Sequence, residues 1–173
     1  SYMEPQICEE PKYGDVLELP HDLSGYFDYD QALSCARAQD KPVFVDFTGH
    51  GCNNCREMEN SVWSDPEVLK MLREEYVVVA LYVDDKTLMP EEDWSVSTKN
   101  GKVKKTIGSK NIDFQETRFG ANAQPYYVLL DNDGDIVMIP RSDSKDKLAF
   151  LTFLKKGLDN YKNGRKYIPE KYK

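Results

Sequence analysis

Two stretches of the chain are apolar at almost every position, and both read as strands. Val43-Phe44-Val45-Asp46-Phe47-Thr48 is interrupted by one carboxylate, and Tyr76 to Val83 is a nearly unbroken β-branched run. A strand without a polar face has to be covered on both sides, which places these two inside a sheet between helical layers. Around them the apolar residues fall instead at helical spacing. Tyr29, Ala32, Leu33 and Ala36 predict a helix over 28–40, ended by Lys41-Pro42 because proline disfavours helical geometry in the residue before it. Cys55, Met58 and Val62 predict a second helix, with Arg56 and Glu57 free to face solvent. Ser64 and Glu67, bracketing Pro66, read as a capping box that opens a third helix reaching Glu75, with Val68, Leu69 and Leu72 inward. The order helix, strand, helix, strand predicts parallel strands with covering helices.

The second half is less regular at first. Asp84 to Asn111 holds Pro90, the acidic run Glu91-Glu92-Asp93, Trp94 and then lysines from Lys99 to Lys110. Its apolar content is too low for another core layer, so residues 85–111 read as an inserted surface loop or hairpin, either a lid or partner contact or a solvated loop. Ile112 to Phe119 predicts a short helix before Gly120. Tyr126–Leu130 and Asp135–Ile139, joined by Asp131-Asn132-Asp133-Gly134, predict a β-hairpin. Lys145 to Tyr161 carries Leu148, Phe150, Leu151, Phe153, Leu154 and Leu158, an amphipathic helix packed on the sheet and stopped at Gly164. The expected organisation is an extension or linker over 1–25, a domain over 26–163 and a loose tail over 164–173. The expected class is α/β, a central mixed sheet flanked by helices.

Charge narrows the partners. A net charge of −7 is a poor match for nucleic acid, which needs a basic face. No apolar run is long enough to span a bilayer. Hydrophobic residues make up 40% of the chain, enough for one packed core and unlike a disordered composition.

The cysteines are Cys8, Cys35, Cys52 and Cys55. Cys35 lies on the flank of the first helix and reads as a small buried thiol, and Cys8 as an exposed one. A Cys8–Cys35 link is the alternative, which their spacing does not decide. Cys52 and Cys55 are different, because the spacing Cys-x-x-Cys falls between a buried strand and a helix. A helix N-terminus presents unpaired amides and the positive end of its dipole, which lowers a thiol below the free value of about 8.5. Cys52 is thus the candidate attacking thiolate and Cys55 the buried resolving thiol, for dithiol–disulfide exchange. Asp46, expensive to bury ionised, either hydrogen-bonds a nearby backbone group or lysine or serves the cysteines, and with Glu59, one turn beyond Cys55, it is a candidate to take the Cys55 proton. His50 either steadies the thiolate or is an exposed loop residue. A zinc module built on Cys52, Cys55 and His50 is less favoured, since a fourth ligand is missing nearby. A non-catalytic binding domain that recognises partners through 85–111 is the remaining alternative.

Taken together, Val45-Asp46-Phe47, the Cys52-Asn53-Asn54-Cys55 pair, and Phe119-Gly120 followed by Pro125 resemble the thioredoxin superfamily over roughly residues 26–163. Lys41 to Thr48 before the cysteines, and Val62-Trp63-Ser64-Asp65-Pro66-Glu67-Val68 after them, are similar to the C-terminal periplasmic domain of DsbD-type thiol:disulfide interchange proteins. The resemblance implies a thioredoxin-like fold with Pro125 as the cis-proline, and Pro125, Gln124 and His50 beside bound substrate. It further implies a cofactor-free monomer in the periplasm, as a soluble domain of a membrane protein. Such a domain takes electrons from a thiol protein or membrane domain and reduces protein disulfides.

Overall fold

The computed structural model describes residues 7–168. Asp28 caps helix α1 (Tyr29–Gln39), its carboxylate accepting from the Gln31 amide at 3.0 Å. Strand β1 (Val43–Thr48) follows, buried along its whole length. Helix α2 (Asn53–Met58) runs into a π-helical turn, Glu59–Trp63, and then come α3 (Pro66–Glu75) and β2 (Val77–Tyr82). The second half holds β3 (Ser95–Val96), β4 (Val103–Lys104), α4 (Ile107–Phe119), β5 (Tyr126–Leu130) and α5 (Lys147–Lys162).

The main sheet has the order β2-β1-β5, with β1 parallel to β2 and antiparallel to β5. It is the expected mixed α/β arrangement. Alternation along β1 divides the core in two. Val43, Val45 and Phe47 pack with Ala32, Leu33 and Ala36 of α1, while Phe44 packs with Met58, Val62, Trp63, Phe150 and Leu154 on the other face. Phe44 meets Trp63, Tyr76, Tyr127 and Phe150 at ring-centroid distances of 5.5, 6.3, 5.4 and 6.2 Å. Each such aromatic pair contributes about 0.5–1.5 kcal/mol beyond burial, so this knot fastens α5 and the π-helical turn that continues α2 to the sheet. Asp46 and Thr48 follow Phe44 at two-residue steps and therefore point into the same layer, beneath α2.

Several expectations need correction. The cap of α3 is Asp65, not Ser64: its carboxylate accepts from Glu67 and Val68, while the Ser64 hydroxyl donates back to the Asn60 carbonyl. Pro66 pushes the residue before it into extended geometry, and that makes Asp65 the cap. Helix α4 starts at Ile107, five positions before Ile112, because Thr106 and Ser109 form a reciprocal capping box. The insertion is accordingly shorter than 85–111 and contains the β3–β4 hairpin. It also adds to the core: Met89 and Trp94 pack with Leu17, Phe27, Tyr82 and, from the start of α4, Ile107. The run 135–139 is not a regular strand. Ile136 bridges Leu130 and Arg141 bridges Tyr127, with extra residues bulging between them around Pro140, which has no amide to pair. Leu148 is 73% exposed, on the far flank of α5 from the face centred on Phe150, Leu154 and Gly157.

Both ends of the described chain are tied down. Tyr26 adds a single parallel bridge to Val79, and Leu17 and Leu23 are buried. Cys8 and Cys35 form a disulfide, so Cys35 is not the free thiol expected from its place on α1. A helical stripe shows where a cysteine sits but not which distant chain segment crosses it. Beyond α5, Lys166 pairs with Asp135 at 2.6 Å and the Tyr167 amide donates to Ile136, so the tail is not loose as far as 168. Pro5 and residues 169–173 lie outside the described residues.

The Cys8–Cys35 bond closes a loop with a sequence separation of 27. Replacing both residues, Cys8→Ser with Cys35→Ser, is expected to lower stability by roughly 3 kcal/mol. Urea unfolding checks this, and an unchanged midpoint would show that the bond does not constrain the chain.

Candidate functional site

Strand β1 ends at Thr48, and three residues later the chain enters α2 with Cys52 as its N-cap. The Cys52 Sγ accepts the Cys55 amide at 3.1 Å, in the position that a serine or aspartate oxygen occupies in an ordinary cap. Cys52 and Cys55 are joined as a disulfide. Cys55 is 1% exposed, whereas Cys52 remains half-buried, so the two sulfurs are unequal in access.

Behind them lies Asp46, 2% exposed, whose Oδ1 accepts no hydrogen bond among the described residues. Burial raises its carboxyl well above the ordinary range; neighbouring Glu59 adds to the rise and Arg56 opposes it. Glu59, also buried, is pushed up by burial too, against the pull of Arg56 and His21. Arg56 does not face solvent freely as expected. Its guanidinium donates to the Thr48 hydroxyl at 2.9 Å and pairs with Glu59 at 3.1 Å. Glu57 is the exposed neighbour, paired with Lys145. The N-terminal segment Gly14–Pro20 stands over Arg56, Glu59 and Tyr82, leaving a cleft of about 450 Å³ between them. The cleft gives the Arg56–Glu59 pair a route to solvent.

In front, the loop Gly49-His50-Gly51 is held from the end of β2. Asp84 accepts the amides of His50 and Gly51 at 2.8 and 2.9 Å. The His50 ring stacks on Tyr82 at 4.4 Å, and its Nε2 meets Asp85 at 2.7 Å. Burial works against ionising Asp84 and Asp85, but these bonds, with those from Thr87, hold both carboxyls below their usual range. Across the sheet, Phe47 pairs with Tyr126, which sets Pro125 at the same end as Cys52. The Gln124–Pro125 bond is cis, and Gln124 donates to Gln115 and to the Asn122 carbonyl.

Cys52, Cys55, Asp46 and Glu59 are therefore gathered around one helix, with His50, Gln124 and Pro125 at the same end of the sheet. Arg56, Thr48, Asp84 and Asp85 were not singled out as site residues from the sequence. A signal existed for the aspartates, since they directly follow a buried parallel strand. The register Thr48↔Tyr82 carries residue 84 opposite residue 50. Among the described residues no helix is long and apolar enough to cross a membrane.

Comparison with known proteins agrees with this geometry. The profile of the thioredoxin-like domain family matches residues 29–151. No curated protein sequence matches the chain. Among solved structures, a DsbH oxidoreductase is 18% identical with a TM-score of 0.58, covering 83% of this chain and 91% of its own. A thioredoxin from Thermus thermophilus is 22% identical at a TM-score of 0.51, over 76% and 85%. The oxidised DsbD C-terminal domain from Neisseria meningitidis is 15% identical at 0.50, over 78% and 99%. At such identities the likeness is one of fold, and the family match carries the assignment. With its Cys52–Cys55 disulfide at a helix N-terminus, the chain belongs to the thioredoxin-like domain family.

Proposed function

We propose that this protein is a thiol–disulfide oxidoreductase that works as a reductase of protein disulfides outside the cytoplasm. The observation that carries the reading is the capping sulfur: Cys52 takes an otherwise unpaired first-turn amide of α2, that of Cys55, while bonded to that same buried residue. In the reduced protein the same amide and helix dipole favour a Cys52 thiolate. The thiolate attacks one sulfur of a substrate disulfide, forming a Cys52 mixed disulfide and releasing the first substrate thiolate. Cys55 then gives up its proton and attacks Cys52 Sγ. The second substrate thiolate leaves, and the Cys52–Cys55 bond is restored. The two electrons pass to the substrate and are replaced by a donor dithiol, from a thiol protein or a membrane domain.

Asp46 is the proton acceptor for Cys55, with Glu59 between it and solvent. An acid whose proton affinity is raised by burial is matched to a thiol better than an ordinary carboxylate is. Gln124 and Pro125 would line the bound substrate segment, beside His50. The similarity to DsbD-type and DsbH structures supports an extracytoplasmic setting, and so does a second disulfide away from the site, since such bonds persist in oxidising compartments.

Two outcomes test the reading. Cys55→Ser is expected to accumulate a mixed disulfide with a disulfide-bonded protein substrate, whereas Cys52→Ser accumulates none; equal trapping by both would contradict the assigned roles. Asp46→Asn is expected to slow resolution by up to about 100-fold, the lower end of what a positioned acid–base group contributes. The same variant has a stability signature with a definite sign. Unfolded Asp46 titrates near 3.8, and the folded value is higher. The stability tied to the protonated carboxyl is complete below that pH and is lost as pH rises through the folded value. Asp46→Asn escapes this loss, so its advantage over the parent protein should widen from pH 4 toward neutrality in urea titrations, and a constant gap would count against a buried, titrating Asp46.

A further inference from the structure

We propose that Asp84 is a positioning residue for the dithiol: its carboxylate clamps the loop before Cys52 and thereby favours the closed Cys52–Cys55 disulfide over the open dithiol. The inference rests on the oxidoreductase reading and concerns how strongly that same site is reducing.

Three residues, Gly49-His50-Gly51, link the end of β1 to the N-cap, and two of them are glycine, the residue with most backbone freedom to lose. Left alone, such a link would let the Cys52 sulfur wander from Cys55 once their bond is broken. Instead the two oxygens of Asp84 each take one of two consecutive amides, at 2.8 and 2.9 Å. The fit is close: a Cβ on Gly49 would lie 3.0 Å from one carboxylate oxygen and 3.2 Å from its carbon, so a side chain at 49 would require the carboxylate to give by a few tenths of an ångström. The Cys52 amide in turn donates to the Gly49 carbonyl at 3.3 Å, which carries the constraint to the reactive residue.

The clamp is braced from behind. Asp85 engages the His50 ring at 2.7 Å and receives the Thr87 amide at 2.9 Å. The Gly108 amide donates to the Asp85 carbonyl at 2.9 Å, and a Cβ there would lie 2.8 Å or less from Asp85 and Val83 backbone atoms. Asn111 donates to the Tyr82 carbonyl at 2.9 Å. The first turn of α4, where the insertion returns to the domain, thus presses on the segment that carries the clamp.

Both consequences favour oxidation. Ordering the loop in advance removes entropy that ring closure would otherwise have to remove. A carboxylate that occupies the amides just before Cys52 also withholds them from a thiolate, and its own charge repels one. Asp84 itself gains and loses no electron or proton in the exchange. The pair is therefore more strongly reducing than it would be with a free loop.

The test is the equilibrium of the full-length protein with reduced and oxidised glutathione, the state of Cys52 and Cys55 being read by peptide mass after alkylation. Asp84→Ala is expected to make the Cys52–Cys55 disulfide about tenfold easier to reduce, equivalent to a rise of ~30 mV in potential. Asp84→Asn, which can still accept an amide, is expected to fall between it and the parent. If both variants melt at a lower temperature yet keep the parent potential, Asp84 supports the fold equally in both redox states and the clamp is refuted. If the parent pair itself fails to equilibrate with glutathione, the oxidoreductase reading fails and the clamp falls with it. A cycling parent with unshifted variants overturns the clamp alone.

Discussion

The amides in the first turn of α2 have no partners within the helix, and the Cys52 sulfur supplies one of them with an acceptor. Much of the site depends on holding that helix start in place. Phe44, with Met58 of α2, Trp63 of the turn that continues it and Phe150 of α5, fixes these helices on one face of the sheet, and this brings Cys55 down into the core while Cys52 stays at the surface. A helix rotated or shifted by one residue would exchange the two sulfurs' environments.

The same packing has an electrostatic consequence. Asp46 occupies a strand position that the alternation of β1 turns into the layer beneath α2, where water is excluded. It can be ionised there only at a penalty, and the cation that opposes this, Arg56, is shared with Glu59 and Thr48. Buried acids thus lie behind the disulfide and ionised ones in front of it. Asp84 and Asp85 lie just beyond β2, each carboxylate oxygen accepting a donor, and both stay below the usual carboxyl range. One group of carboxyls is suited to handling a proton. The other is suited to holding a backbone.

The sheet, most helices and the core of the site were legible in the sequence, because β1 and β2 have no polar face to confuse and the Cys-x-x-Cys spacing falls at their junction with a helix. Counting one turn from Cys55 put Glu59 near the pair, and the resemblance to the thioredoxin superfamily pointed to Pro125 as the cis-proline. What stayed hidden depends on contacts between segments far apart in the chain. Cys8 and Cys35 are brought together only because the N-terminal segment crosses α1. Arg56 turns back from the helix surface because Thr48 and Glu59 offer it acceptors, which helical periodicity alone does not register. The start of α4 was misplaced because Thr106 and Ser109 cap each other without the Glu or Gln of the usual box.

The two sulfurs are chemically unequal because one caps a helix and the other is buried. The direct measurement is the alkylation rate of each cysteine in the reduced protein as a function of pH, mapped by peptide mass. Cys52 should react first, with a midpoint below the free-thiol value of about 8.5, while Cys55 stays protected at the same pH. Equal rates at the two positions, or a Cys52 midpoint at or above 8.5, would contradict the account.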